Sequence, residues 1–246
     1  MHDHNTLSDE LRRRSTAARA ARRPYVIGVG GSVAVGKSTL AAALRDAIAG
    51  WPERPRVENA ATDGFLFPNA VLAGRNLSLR KGFPESYDVT ALRAALGAVR
   101  RGERVALPRY SHLTYDVDPA NPHVVENPDV LVLDGLHLAQ VEVSGAPRLI
   151  DTLVYLDAPE DAIEAWFTAR LLPLMIAGRD DPASFYYAFR EMDEAARRAF
   201  AARAWRTINL PNLRDHIVKD RAAADLIVAK NPDHSIAAIL AAAESV

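Results

Sequence analysis

Cysteine is absent from the 246 residues, so the chain can build neither a disulfide framework nor a thiolate metal site. Such a composition suits a reducing, cytoplasmic setting. Long hydrophobic runs are missing as well. No window reaches the ~18 consecutive apolar residues that a membrane span requires, and residues 1–24 lack the apolar core of a signal peptide. No membrane partner is therefore expected. Nor is there an excess of one charge: 30 basic against 31 acidic side chains leave a net charge of −1. That balance gives no electrostatic basis for a nucleic-acid partner. What remains, 49% apolar and 25% charged residues, is the ordinary make-up of a globular enzyme with a buried core.

Six arginines crowd the N-terminus, at positions 12, 13, 14, 19, 22 and 23. Asp3, Asp9 and Glu10 dilute their charge and Ser8 can cap a helix starting after it, so residues 1–23 read as an Arg-rich, solvated helix or tail. An RNA-binding role would rest on this stretch alone. Beyond Pro24, apolar runs alternate with helical stretches. YVIGVGG (25–31) has the character of a buried parallel strand, and an alanine-rich helix comes next over 38–48. A weaker strand (57–62) ends at Asp63-Gly64. Residues 64–88 show no period, and so long a loop in a compact domain is usually functional. A helix over 89–101 and a short strand over 104–107 lead into YSHLTYD (110–116). DVLVLDG (129–135) and residues 149–156 read as interior strands. Helices are expected from 160 to about 205, with Phe185, Phe189, Met192 and Ala196 at core-packing spacing. A strand (225–229) and an alanine-rich helix (235–243) close the chain. This alternation predicts an α/β fold, a mostly parallel central sheet with helices on both faces, in one domain over 24–246.

The strongest local signal is GSVAVGKS, which meets the G-x-x-x-x-G-K-[ST] pattern between an apolar strand and a helix. Phosphate oxygens need converging donors. The backbone of Gly31, Ser32, Val33, Ala34, Val35 and Gly36 supplies them, and the helix beginning at Lys37, Ser38 and Thr39 adds its positive end. Lys37 would reach the β- and γ-phosphates of ATP, and the Ser38 hydroxyl would face Mg²⁺. Asp134, at the end of an apolar strand, occupies the usual place of a second carboxylate for that ion. A guanine-selecting N-K-x-D motif is missing. Asp63 also closes a strand, where ligands gather in open α/β sheets. A carboxylate there can take the proton of an attacking hydroxyl. Taken alone, an aspartate before a glycine is more often a turn residue.

Together these segments resemble the type I pantothenate kinases, within the wider P-loop uridine kinase and phosphoribulokinase group. The resemblance is carried by GSVAVGKST, TDGFL with PN, KGFPESYD, YSHLTYD, LDGL, LDAPED, Asp181-Pro182, IN with NL (208–213) and RAAADLIVAK with His234. It runs in family order over most of the chain, and KGFPESYD and YSHLTYD are specific to the family. It implies a P-loop NTPase fold, ATP-dependent phosphorylation of pantothenate at the first step of coenzyme A synthesis, and a possible homodimer. Residue by residue, it implies Asp63 as catalytic base, with Lys37 and Arg170 at the transferring phosphate. Tyr110, His112 and Asn209 fall on the acceptor side, and His234 near the adenine. Arg170 also falls on an apolar stripe with Trp166, Phe167, Leu171 and Leu174, which suggests a buried cation facing an anion.

The acceptor pocket departs from the family pattern. Phe167 stands where a tyrosine contacts substrate, Leu171 and Leu174 where phenylalanines stand, Arg179 in place of another aromatic, and Phe67 in place of a histidine. Ala42 takes the place of an arginine associated with coenzyme A feedback, so the resemblance implies weak inhibition. Two other readings stay open: a kinase for another hydroxylated metabolite, such as a nucleoside or sugar, and a nucleotide-binding regulatory paralogue without turnover.

Overall fold

The computed structural model describes residues 4–241. Helices α1 (His4–Arg14) and α2 (Thr16–Ala20) precede β1 (Tyr25–Gly31), α3 (Lys37–Ala49) and β2 (Val57–Ala61). After α4 (Asn69–Gly74) and α5 (Val89–Arg100) come the pair β3 (Val105–Ser111) and β4 (Asp116–Val125), then β5 (Val130–Asp134) and β6 (Thr152–Asp157). Next are α6 (Glu160–Ala177), α7 (Glu194–Ala204), α8 (Leu210–Asn212), α9 (Val218–Ala223), β7 (Leu226–Lys230) and β8 (Ile236–Ala241). The main sheet has the order β2-β5-β1-β6-β7-β8, parallel throughout except for β8. This is the P-loop NTPase arrangement.

Every residue of β1 is buried. Successive side chains of a strand point to opposite faces, so both faces of the sheet are covered there. Register then decides where the chemistry gathers. Val29 and Ala61 both lie opposite Asp134, and Gly31 lies opposite Leu156. The carboxyl ends of β1, β2 and β5 therefore open at one level, the crevice where such sheets bind ligands.

The C-terminal residues overturn one expectation. Residues 236–241 form an edge strand antiparallel to β7, not a helix; Ala242 and Ala243 lie outside the described residues. Alanine is the best helix former, but intrinsic propensity is small beside tertiary context, and the edge of β7 offers a ladder that outweighs it. The expected loop over 64–88 contains α4 and short 3-10 turns at Ser78–Arg80 and Pro84–Ser86. YSHLTYD is the tip of a hairpin whose second strand, β4, carries too little apolar period to be read. Helix is also broken between α6 and α7, where Phe185–Phe189 makes a 3-10 turn. Phe189 and Met192 pack against a small satellite core there, whereas Phe185 and Ala196 are exposed.

The N-terminal helix is anchored by its apolar side. Leu7 and Leu11 are wholly buried in the main core. Ser8 does not cap a helix; it sits inside α1, where its Oγ accepts a hydrogen bond from the Trp51 indole at 2.8 Å. The arginines are mostly spent on the protein itself. Arg12 and Arg19 meet Glu53, Arg13 and Arg14 meet Glu10, and Arg23 meets Asp151. Asp3 lies outside the described residues. Leu11→Ala is expected to cost about 2–5 kcal/mol, the usual toll of a large-to-small change in a packed core. Urea denaturation measures it, and a loss below about 0.5 kcal/mol, typical of surface changes, would contradict the anchoring.

Candidate active site

The loop between β1 and α3 is shaped by its glycines. Gly31 has φ 138°, and a Cβ there would lie 2.7 Å from the Leu156 carbonyl oxygen, so only glycine fits. Ala34, at φ 60°, turns the loop further. Val35 is buried beneath it, Val33, Ala34, Gly36 and Lys37 are half-buried, and Ser38 and Thr39 stand exposed on the first turn of α3. Ser32 is 1% exposed, and its Oγ has no hydrogen-bond partner inside the protein. Across the loop, Lys37 Nζ donates to the Ser32 carbonyl at 2.7 Å. The result is a half-ring of backbone donors closed by an ammonium.

Ser38 Oγ donates to Asp134 Oδ2 at 2.7 Å. A hydroxyl and a carboxylate side by side at a strand end are hard oxygen donors of the kind Mg²⁺ takes, with water filling the rest of its shell. Burial pushes the Asp134 carboxyl up from its ordinary value, against the Ser38 hydrogen bond and the Lys37 charge, which pull it down. Burial also draws the Lys37 ammonium down to about 8, opposed by the charges of Asp63 and Asp134.

Asp63 sits in a 3-10 turn, Thr62–Phe65, directly after β2. The Asp63-Gly64 step is no ordinary surface turn. A Cβ on Gly64 would meet the Pro108 carbonyl oxygen at 1.9 Å, so this turn is pressed against β3. The Asp63 charge is felt by six groups: Lys37, Lys81, Tyr87, Tyr110, Tyr115 and Asp134. It thus faces both the phosphate loop and an aromatic wall. In that wall, the Tyr110 ring meets His112 at 5.2 Å and Tyr115 at 5.9 Å, and Tyr115 stacks on Phe185 at 4.5 Å. Tyr110 is half-buried and His112 exposed. Burial raises the phenols of Tyr110 and Tyr115, which keeps both neutral.

Arg170 corrects the sequence reading. It is exposed and, among the described residues, has no ion pair or hydrogen bond. The stripe that buries Ile163 and Trp166 continues to Arg170 and Leu174, but both of those are exposed, because the core has ended at that level of α6. Leu171 and Met175, on the flank, turn into the satellite core instead. Arg170 therefore carries an open cation whose charge is felt at Lys37, Tyr115 and Tyr186.

Other expected residues are more loosely placed. Phe167 packs toward Trp205, with ring centroids 6.1 Å apart. Asn209 ends a π-helical segment, Trp205–Asn209, and donates to the Ala204 carbonyl at 3.4 Å. Arg179 is exposed and pairs with its neighbour Asp180. His234 is exposed in the turn between β7 and β8 and stacks on Trp166 at 4.1 Å and 23°. That turn is tied to the phosphate loop by Lys230, whose Nζ donates to the Val35 carbonyl at 2.8 Å.

Sequence reasoning missed Lys230 and Lys81. Lys81 Nζ lies 5.0 Å from the Tyr110 ring and 4.4 Å from the Tyr115 ring, and donates to Asn69 Oδ1 and the Tyr115 carbonyl. Burial draws it down to about 8, opposed by Asp116 and Asp63. Its place in the KGFPESYD segment was the one available signal. Among the described residues, no helix is long and apolar enough to cross a membrane.

Comparison with known proteins adds to this geometry. Residues 26–170 match the model of the phosphoribulokinase / uridine kinase family. The pantothenate kinase of Sorangium cellulosum (strain So ce56) is 44% identical over 223 residues, covering 89% of this chain and 72% of that protein. The pantothenate kinase of Brucella ovis is 42% identical over 224 residues, covering 87% and 70%. In fold, the solved structure of the YGR205w protein superposes with a TM-score of 0.64 at 12% identity, over 98% of both chains.

Proposed function

The chain belongs to the phosphoribulokinase / uridine kinase family and, within it, to the pantothenate kinases, and from that premise we propose that it transfers the γ-phosphate of ATP to the primary hydroxyl of pantothenate. The observation that carries this reading is the place of one carboxylate. Asp63 follows β2, whose last residue pairs with Asp134 beside Ser38 of the phosphate loop, on a turn pressed against β3, which carries Tyr110 of the aromatic wall. A phosphoryl acceptor has to bridge those two sides.

In this mechanism the loop from Gly31 to Gly36 holds the triphosphate through backbone N–H groups, and Thr39 extends that hold at the start of α3. His234, stacked on Trp166 beside the loop, marks the adenine side. Ser38 and Asp134 would hold Mg²⁺, which when bound offsets phosphate charge and fixes its orientation. Asp63 accepts the hydroxyl proton as the oxygen approaches phosphorus in line. Lys37 and Arg170 take up the charge that spreads over the transferring phosphoryl oxygens. Tyr110, His112 and Asn209 contact the acceptor, and Phe167 supplies apolar surface in place of a hydroxyl.

Purified protein with ATP, magnesium and pantothenate is expected to release ADP and form the phosphorylated alcohol, detected by coupled assay and mass spectrometry. ADP release with a nucleoside or sugar but not with pantothenate would move the acceptor assignment. No release with any alcohol would overturn the kinase reading.

The pH dependence comes from the two lysines. Lys37 and Lys81 in the free enzyme lose their protons near pH 8, and a neutral amine cannot hold phosphate charge. Raising the pH through about 8 therefore lowers kcat/KM for ATP through Lys37 and kcat/KM for the acceptor through Lys81, while kcat declines only at higher pH, because bound phosphate holds the Lys37 ammonium. A kcat/KM flat from pH 7 to about 10 would contradict the placement of these cations.

A further inference from the structure

The loop carrying Lys81 is gripped at a single atom. Gly82 has φ 89°, a left-handed conformation that suits glycine, and its carbonyl oxygen receives two side-chain donors. His137 Nε2 donates at 2.8 Å and Asn212 Nδ2 at 2.7 Å. The two come from distant parts of the chain, 55 and 130 residues away. A carbonyl has two lone pairs, and here both are used.

Both donors are buried, His137 at 3% exposure and Asn212 at 4%. His137 comes after Asp134 and Gly135 on the loop beyond β5 and is itself held at φ 57°. Its ring is bounded by Tyr87 at 6.0 Å and His216 at 6.2 Å. Asn212 sits in α8, between the π-helical segments Trp205–Asn209 and Leu213–Ile217. Such insertions turn a helix face and are frequent at functional sites. The same helical run carries Asp220, which accepts from the backbone N–H groups of Leu138 and Ala139 at 2.9 Å. One helical run thus holds both the loop after Asp134 and the loop of Lys81.

We propose that His137 and Asn212 are positioning residues that clamp the Gly82 carbonyl and so hold Lys81 against Tyr110 and Tyr115, in register with Asp63, for the acceptor. The role rests on the kinase reading above. The clamp itself rests on the two hydrogen bonds. Neither side chain is assigned contact with substrate, and neither lies in the phosphate loop.

The test compares His137→Phe, which keeps a ring and removes the donor, with His137→Gln, which restores a donor, and with Asn212→Leu. Each variant is assayed for kcat, for KM toward pantothenate and ATP, for melting temperature, and for trypsin cleavage after Lys81. H137F and N212L are expected to lose about tenfold to a hundredfold in kcat/KM for the acceptor, the scale of a small misplacement of reacting groups. KM for ATP should stay within about twofold, uniform binding of nucleotide being untouched. Cleavage at the Lys81–Gly82 bond should quicken, and H137Q should recover most of both properties.

Equal losses toward ATP and acceptor, or losses that track melting temperature in H137Q as well, would overturn the positioning role. Normal acceptor kinetics and unchanged cleavage in both H137F and N212L would do the same. If the unaltered enzyme phosphorylates no alcohol, the kinase reading and the acceptor role fail together, and cleavage after Lys81 still reports whether the clamp exists.

Discussion

Asp63→Asn lowers kcat by about 10²–10⁴-fold, the range for removing a positioned general base, while ATP binding stays within a few-fold of the unaltered enzyme. The substitution keeps the shape of the side chain and removes its ability to accept a proton. Asp63 lies one residue past Thr62, at the end of the strand whose last residue, Ala61, pairs with Asp134. That register places it beside Asp134, yet on the turn pressed against β3, which carries Tyr110. No backbone donor of the phosphate loop depends on it, which is why nucleotide affinity survives. Steady-state kinetics and a fluorescent-nucleotide titration measure the two halves. A kcat within about twofold of normal would remove Asp63 from the role of base.

Arg170→Ala lowers kcat by about 10²–10³-fold, the scale of losing one preorganised donor to developing charge, and leaves stability within about 0.5 kcal/mol. The two effects separate for a physical reason. Arg170 is exposed and has no protein partner among the described residues, so its removal strands no buried group and opens no cavity. Its charge nevertheless registers at Lys37. Arg170→Lys should recover part of the rate, because it keeps the charge and loses the planar fork that grips two phosphate oxygens. A stability loss as large as the rate loss would instead make Arg170 a structural residue.

How much of the fold and site was legible in the sequence differs from part to part, for physical reasons. The phosphate loop was legible because its chemistry is local: eight consecutive residues supply the turn, the donors and the ammonium. Asp134 was legible because an apolar strand ending in a carboxylate needs no partner to be recognised. Asp63 lay open between base and turn until its resemblance to a family motif was weighed. The structure then pressed its turn against Pro108, a contact that no spacing reveals.

The illegible parts are those decided by tertiary contact. The alanine-rich end of the chain became β8 because β7 offered an edge. Arg170 escaped burial because the core stops one turn short of it on α6. Lys81 owes its place to aromatic rings on a hairpin about thirty residues away and to donors from His137 and Asn212 further still. The π-helical segments that align Asn209, Asn212 and Asp220 leave no compositional trace.

A crystal structure with Mg²⁺, a non-hydrolysable ATP analogue and pantothenate would decide whether the phosphate cradle and the carboxylate work on one bond. The expected result places an Asp63 carboxylate oxygen about 2.6–3.2 Å from the acceptor hydroxyl, directly or through one water, with that hydroxyl in line with the γ-phosphate held by the loop. A complex in which Asp63 turns away from the hydroxyl, or in which the alcohol binds elsewhere while the nucleotide fills the loop, would contradict the mechanism.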